Sequence, residues 1–512
     1  MPSRLSAGIA VVAVIGVLGL AASASADTIN VPGRDGKSIQ QAVNRADPGD
    51  RIRIEARNRR YFENVVVTTN RLRIVGVPNR NGLPVIDGTN RAGTIDAPVF
   101  DIDANRVSLG RVSAQHGFGI DCTGKACHIA NVQVRMSDQG FNDCIEIDGV
   151  LGRVAGSTFR GCDRSAIDIA GNRGRVVNNE IRQVDSDCVV VAGDRAVVTN
   201  NDVQNCEDAD GIRVIGNEAN VLTNSVQNTD DNAFEVTGRA NFVGDNDATG
   251  IESDCFNVDG KQARVVGNFA AACDGGWEVS GENMFVANNF GVFLGDDDGF
   301  DVDCFDQPGG QPPARACHRT AVLQNRADGN NNDDEGFDVF IAAGTGGGAE
   351  IIGNDSANNN DGGFSIFAVN ARIANNRSSF DGAEGNEPGI EIRGARNIVI
   401  GNRAVASGEH GIDIDSGNGH NVRRNVSRLA NVDGIHVSSG AGTTLKQNRA
   451  IDNAGDGIEN DGVQTRVIGN KSHGNRKDCT NDGTIAAKRR NRCEDGSDFN
   501  EPGGLDRARA RR

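Results

Sequence analysis

One short phrase recurs along the chain. An acidic turn leads into a small residue, then a large apolar residue, one polar residue and a β-branched residue. ESDCFNVDG at 252–260, CDGGWEVSG at 273–281 and DDDGFDVDC at 296–304 are three copies. Neighbouring side chains in a strand face opposite sides, so Phe256 and Val258 point one way and Asn257 the other. With the large apolar residue as marker, the phrase repeats from Ile120 through Val189, Ile212, Phe234, Trp277, Phe300, Phe337, Phe364 and Ile390 to Ile458. Most steps lie near 22 residues, and the step from Phe300 to Phe337 is 37. A second ladder keeps step with the first. An Asn follows the next apolar pair, from Asn179 and Asn201 through Asn268 and Asn354 to Asn470. Strand grammar at this period predicts a solenoid in which each coil stacks on the last.

These residues carry a resemblance. The chain is similar, over about residues 38–475, to the right-handed parallel β-helix proteins of the pectate-lyase-like superfamily. The resemblance implies an all-β, single-stranded right-handed parallel β-helix of about 15 or more coils of ~22 residues, with short strands ~4.8 Å apart along the axis. It implies little about chemistry, because that fold hosts lyases, hydrolases, epimerases, esterases and proteins that catalyse nothing.

The markers themselves are expected to be core. They are aliphatic up to Ile212, aromatic from Phe234 to Phe364 and aliphatic again from Ile390, so the middle coils must find room for rings. The Asn ladder is expected to hydrogen-bond along the axis, amide upon amide.

The ends follow other rules. Residues 1–26 read as a signal peptide: Arg4, an apolar run from Ile9 to Leu20, and a small-residue site at Ala24-Ser25-Ala26. The run is too short to span a bilayer, so a secreted, extracellular or periplasmic protein is expected, not a membrane-spanning one. Residues 27–98 read as an N-terminal cap with the first coils. Ser38-Ile39-Gln40-Gln41 is a capping box, and Ile39, Ala42, Val43 and Ala46 share the face of a short cap helix. Residues 99–475 are the β-helix proper. Residues 476–512 read as a capping loop and a basic tail. The long step near 304–319 reads as a loop projecting from the middle coils.

Twelve cysteines in an exported chain predict disulfides. Cys144 and Cys162, Cys188 and Cys206, and Cys255 and Cys273 are each 18 apart, one coil less a few residues. Cys122 with Cys127, Cys304 with Cys317, and Cys479 with Cys493 would close local loops. No CxxC occurs, which argues against a zinc site.

Charge narrows the function. At a formal −17 the chain is a poor partner for nucleic acid and a good one for cations. The residue after each marker faces out, and in order these include Asp121, Glu146, Asp168, Glu235, Glu278, Asp301, Asp338, Glu391, Asp413, His436 and Glu459. Such a stack needs a cation, an arginine or raised pKa values, and calcium is the expected cofactor. The densest cluster resembles the calcium site of one family of pectate lyases. That resemblance assigns Asp274, Asp297, Asp298 and Asp301 as ligands, with an echo at Asp333, Asp334 and Asp338. It departs at the catalytic base, since no Lys lies between Lys261 and Lys446. Arg315 or Arg319 on the projecting loop would have to stand in. A second resemblance, to polygalacturonases, rests on Asn228-Thr229-Asp230 and Asp254-Cys255. It makes Asp254, with Glu278 one coil on, a candidate for acid–base work, but that family's His and its basic segment are missing. The reading is therefore an exported, monomeric solenoid that binds or acts on acidic, uronate-containing polysaccharide, with β-elimination ahead of hydrolysis if it is an enzyme. The alternative is a non-catalytic surface or matrix solenoid that binds glycans or cells.

Overall fold

The structure is a computed structural model. It describes residues 26–33, 38–89, 97–136, 143–292, 294–295, 297–304, 317, 319–329, 335–341, 348–382, 386–495 and 499. The signal-peptide stretch, Asp296, Arg315, Asp333, Asp334 and the basic tail lie outside them. The described chain is an all-β parallel solenoid of about 19 turns.

Each coil carries three strands, and these stack into three walls. In one coil the marker strand is Ile212–Ile215, the second-wall strand is Asn220–Leu222 and the third-wall strand is Ser225–Thr229. The marker wall keeps the register that the repeat predicts. Ile212 lies beside Phe234, Phe234 beside Phe256 and Phe256 beside Trp277. Every marker from Ile120 to Ile458 is buried. The aromatic segment is one continuous stack: Phe234, Phe256, Trp277, Phe300, Phe337 and Phe364 have centroids 4.3 to 5.4 Å apart and planes within 8° of parallel.

Room for the rings comes from the third wall. Its inward column runs Phe159, Ile181, Val203 and Val226, then shrinks to Ala248, Ala270, Gly291 and Ala327 beside the aromatics. A Cβ on Gly291 would sit 2.8 Å from Trp277 Cζ3 and 2.9 Å from Leu294 Cδ1. Gly291→Ala is therefore expected to destabilise by about 1–3 kcal/mol, the usual penalty of overpacking. A lowered thermal midpoint with unchanged far-ultraviolet circular dichroism would show it.

The Asn ladder is continuous. Asn268 Oδ1 accepts from Asn246 N at 3.1 Å and Asn246 Nδ2 at 3.0 Å, while Asn268 Nδ2 donates to Val243 O and to Asn289 Oδ1. The same four bonds recur coil after coil, and Asn470 hands on to Asn491. These amides are buried yet fully paired, which is how a polar column survives in a core.

All six expected disulfides form, and no described cysteine is free. Cys162, Cys206 and Cys273 share one register column at the corner between the third and marker walls. Each joins a cysteine just before the marker strand of its own coil, Cα atoms 5.7–5.8 Å apart. At the N-terminal end the helix Ile39–Val43 buries Ile39, Ala42 and Val43 against the first strands. Ser38 caps it, and Glu63 accepts from Ile39 N and Gln40 N. At the other end the solenoid runs one coil past residue 475. Lys477–Asn481, Ile485–Arg489 and Arg492–Cys493 pair with all three walls of the previous coil. The capping-loop reading missed it because the marker there is Cys479, paired with Ile458, and not an aliphatic residue.

Candidate functional site

Two columns flank every marker. The residue after the marker faces out from the strand, and the residue two before it sits at the corner. The outward column is in register across the wall: Glu278 beside Asp301, Asp301 beside Asp338, Glu391 beside Asp413, Asp413 beside His436, and His436 beside Glu459.

The corner column has a structural task that sequence alone did not show. Asp143 Oδ1 accepts Ser165 N, Asp187 Oδ1 accepts Asp210 N, and Asp298 Oδ1 accepts Glu335 N. His410 Nδ1 takes the same place, 3.3 Å from Asp433 N. One side-chain atom thus ties each corner to the backbone of the next coil, and a carboxylate keeps its second oxygen for other partners.

The predicted calcium cluster lies where these columns are densest. Gly275 interrupts the corner column. A Cβ there would fall 1.9 Å from Asp254 Oδ1 and 3.6 Å from Asp297 Cβ, so Asp254 lies across the gap toward the next coil. Asp274 instead turns its carboxylate onto the Gly295 backbone. Asp298 N donates to Asp297 Oδ1 at 2.9 Å. Asn257 Nδ2 donates to Glu278 Oε2.

Electrostatics here is one-sided. Burial first, then Glu335, Asp338, Asp301 and Asp297, push the Asp298 carboxyl up to about 9. Burial with Asp303, Asp338, Glu278 and Asp297 lifts Asp301 to about 8. Burial with Glu278, Asp297, Asp231 and Asp274 lifts Asp254 to about 7. Asp303 rises to about 6, and Glu278 and Asp338 also rise, mainly through burial. Among the described residues, Asp301 Oδ1 is buried and has no hydrogen-bond partner. This orphaned oxygen among crowded carboxyls fits a hard divalent cation, which takes oxygen ligands in loose geometry. In distance the set is more open. Among the described residues, three groups gather their oxygens within 4.8 Å, and all lie farther along: Glu391/Asp413/Asp415, Asp433/Asp456/Glu459 and Glu459/Asp461/Asp482.

The other expected residues fall apart from this cluster or shift by one. Arg319 N donates to Asn283 Oδ1 in the turn leading to the second wall, at the opposite end of the marker strand from Asp298. In the polygalacturonase-like segment, Asp230 accepts Asp208 N on the surface. Its neighbour Asp231 is the one that acts on Asp254.

A second cluster was missed. His410 and His436 lie 26 residues apart in the sequence, yet their rings are 4.4 Å apart. His436 Nδ1 lies 3.1 Å from Asp413 Oδ1, and Ser438 Oγ donates to the same carboxylate at 2.9 Å. Despite burial, the hydrogen bond and charge of Asp413, with Glu459 and Asp433, raise His436 to about 9. His410 Nδ1 lies 3.3 Å from Asp433 Oδ2. Asp433 and Glu459 share a hydrogen bond and titrate apart. Burial opposes the shift, but His410 and Glu459 bring Asp433 down to about 2, while burial and Asp433 take Glu459 up to about 7. The signal lay in the repeat: Asp413, His436 and Glu459 are successive outward residues, and His410, Asp433 and Asp456 are successive corner residues.

Fold and site together define a parallel β-helix with an acidic marker wall. No family model matches the chain, and no curated protein matches it. Solved structures similar to it include a lacto-N-biosidase from Eubacterium ramulus, at 13% identity and TM-score 0.38 over 52% of this chain and 64% of that one. Tailspike protein 3 of bacteriophage CBA120 follows at 12% identity and TM-score 0.21, over 86% of this chain and 55% of that one. An alginate lyase, AlyF-OU02, is 12% identical with TM-score 0.24, over 84% and 85%. The chain thus spans less than two thirds of the length of the first two.

Proposed function

We propose that the protein binds acidic, uronate-bearing polysaccharide along the marker wall, with calcium held by the carboxylates between Asp254 and Asp338. The observation that supports this is the crowding of Asp254, Asp298 and Asp301 by other carboxylates, with Asp301 Oδ1 left unpaired. Neighbouring like charges at such depth require a counter-charge or a proton. A calcium ion would offer its remaining coordination positions to sugar carboxylates and hydroxyls. Asp298, Asp301 and Asp338 would hold the ion, and Glu278 and Asn257 would face the sugar.

Calorimetry on the full chain at pH 8 is expected to show saturable calcium binding. Asp298→Asn and Asp301→Asn are each expected to weaken it at least tenfold. Polygalacturonate or alginate should then gain affinity when calcium is present, and that calcium-dependent gain should be lost in both variants. Unsaturated products would place the protein among lyases; binding without products would make it a non-catalytic glycan-binding solenoid. Absence of calcium binding would overturn the reading.

One observation favours a second reading, glycoside hydrolysis. The Asp433–Glu459 pair keeps one carboxyl protonated beside one that is ionised, the arrangement that assigns acid and base. Glu459 would protonate the leaving oxygen while water adds to the anomeric carbon and loses its proton to a carboxylate. Glu459→Gln should then abolish release of reducing ends and leave calcium binding intact.

A further inference from the structure

The N-terminal coils carry the opposite charge on a different edge. Where the marker wall turns into the second wall, successive coils place Arg71, Arg106, Ala126, Leu151 and Arg173 one above another. Each N–H donates to the coil above: Arg71 N to Asn105 O, Arg106 N to Lys125 O, and Leu151 N to Asn172 O. All five have positive φ, from 59° to 63°, so the corner repeats the same turn. Beside it, the first outward column of the second wall runs Arg73, Ser108, His128, Arg153 and Arg175 in register.

Several observations make this strip a site. Arg71, Arg106 and Lys125 line a cavity of about 580 Å3 together with Asn70, Asn105 and Leu151. Among the described residues none of these three cations has an ion-pair partner, whereas Arg195, one coil past the strip, is paired with Glu218. The amides are set in order: Asn105 N donates to Asn70 Oδ1 at 2.7 Å and Lys125 N to Asn105 Oδ1 at 2.9 Å. Burial first, and then the charges of Arg153 and Arg175, hold the His128 imidazole below its ordinary pKa. The three cations stand on successive coils around one cavity.

We infer that this strip binds a linear anionic polysaccharide directly, through Arg71, Arg106 and Lys125, without a metal ion. The cations repeat along the axis, which suits a chain with charges at intervals better than a compact anion. Leu151 and Val150 are exposed and offer apolar surface to the carbon faces of sugar rings. Among the described residues, no aromatic side chain lines the cavity to stack a nucleobase. The inference does not rest on the calcium groove, because it concerns another edge and needs no cation.

The test uses the full chain in EDTA, where the calcium groove is silent. Binding of polygalacturonate, of dextran sulfate and of single-stranded DNA would be measured by biolayer interferometry over a salt series. The variant Arg71→Glu/Arg106→Glu/Lys125→Glu is compared with Arg403→Glu/Arg428→Glu/Arg466→Glu, which changes net charge equally at the far end. Circular dichroism and the thermal midpoint establish that both fold. At least one polysaccharide should bind the unmodified chain and the far-end variant. The strip variant should lose at least tenfold in affinity, with a shallower salt dependence, since each phosphate- or sulfate-like contact adds to the slope. Preference for polygalacturonate or dextran sulfate tells carboxylate from sulfate as the anion recognised. Equal losses in both variants, no binding in EDTA, or tighter binding of DNA than of either polysaccharide would each overturn the inference. Loss of calcium-dependent binding in Asp298→Asn with the EDTA binding intact would separate the two sites.

Discussion

Asn268→Leu is expected to lower the stability of the solenoid by about 4 kcal/mol or more, although the two side chains are close in size. The substitution removes four buried hydrogen bonds: Asn246 N loses its acceptor, Asn246 Nδ2 is left with Val221 O alone, Val243 O loses its amide donor, and Asn289 Oδ1 is left with Asn268 N alone. Each buried group left unpaired costs roughly 1–3 kcal/mol, and no water can reach this column to replace the amide. Asn268 is 1% exposed, so side-chain loss brings no gain in hydration. Asn81→Leu, at an exposed loop amide, serves as the control and should change stability by about 0.5 kcal/mol or less. Denaturant midpoints for the three chains decide the matter. Equal midpoints for Asn268→Leu and the control would show that the ladder is ornamental.

The metal-free protein should be more stable at pH 5 than at pH 8. The carboxyls of Asp254, Asp298 and Asp301 sit at about 7, 9 and 8 in the folded chain, against roughly 4 for an unfolded aspartate. A group that binds its proton more tightly when folded adds stability that is complete below about pH 4. That stability drains away as pH rises through 7 to 9. Asp210, lifted to about 8 by burial and Glu235, acts with the same sign, and so does His436, whose raised pKa near 9 replaces an unfolded value near 6.5. Asp433 acts oppositely: its pKa near 2 gives stability above pH 4 that is lost only toward pH 2. One displaced unit is about 1.4 kcal/mol, so even strongly damped shifts sum to several kcal/mol between pH 5 and pH 8. Thermal midpoints in EDTA should fall across that interval, and calcium should restore them at pH 8. A midpoint that rises with pH in EDTA would contradict the crowding of these carboxyls.

Much of this architecture was legible in the residues. The marker register, the Asn column, the three corner disulfides and the burial of Phe234 to Phe364 all follow from one period, because stacking makes residues about one coil apart into neighbours; the other three disulfides follow from short spacing along the chain. What escaped depends on contacts between different columns. His410 lies beside Asp433 and His436 only because a corner residue meets the next coil's corner and strand. A list of outward residues cannot show that meeting. The backbone task of Asp298 was equally hidden, since an acidic turn reads the same whether it holds a ligand or an amide. An outward-facing aromatic pair was also unforeseen: exposed Phe340 and half-buried Phe367 stack at 4.9 Å, two places beyond Asp338 and Ser365. The final coil was masked by one cysteine at a marker position.

The Asn column also has a bearing on how such a chain changes length. Every amide in it makes the same bonds to the coil before and the coil after, so no rung is specific to its place. Cutting the chain at two successive rungs and rejoining it, for instance removing the 23 residues from Asn425 to Gln447, would let Asn402 close directly onto Asn448. Coils are thus interchangeable units of length, and a lineage can gain or shed them one at a time without redesigning either neighbour. The limits are set by the stacked rings and the corner disulfides, which are not interchangeable: removal of a coil between Phe234 and Phe364 shortens the ring stack, and removal between Cys255 and Cys273 breaks a bridge.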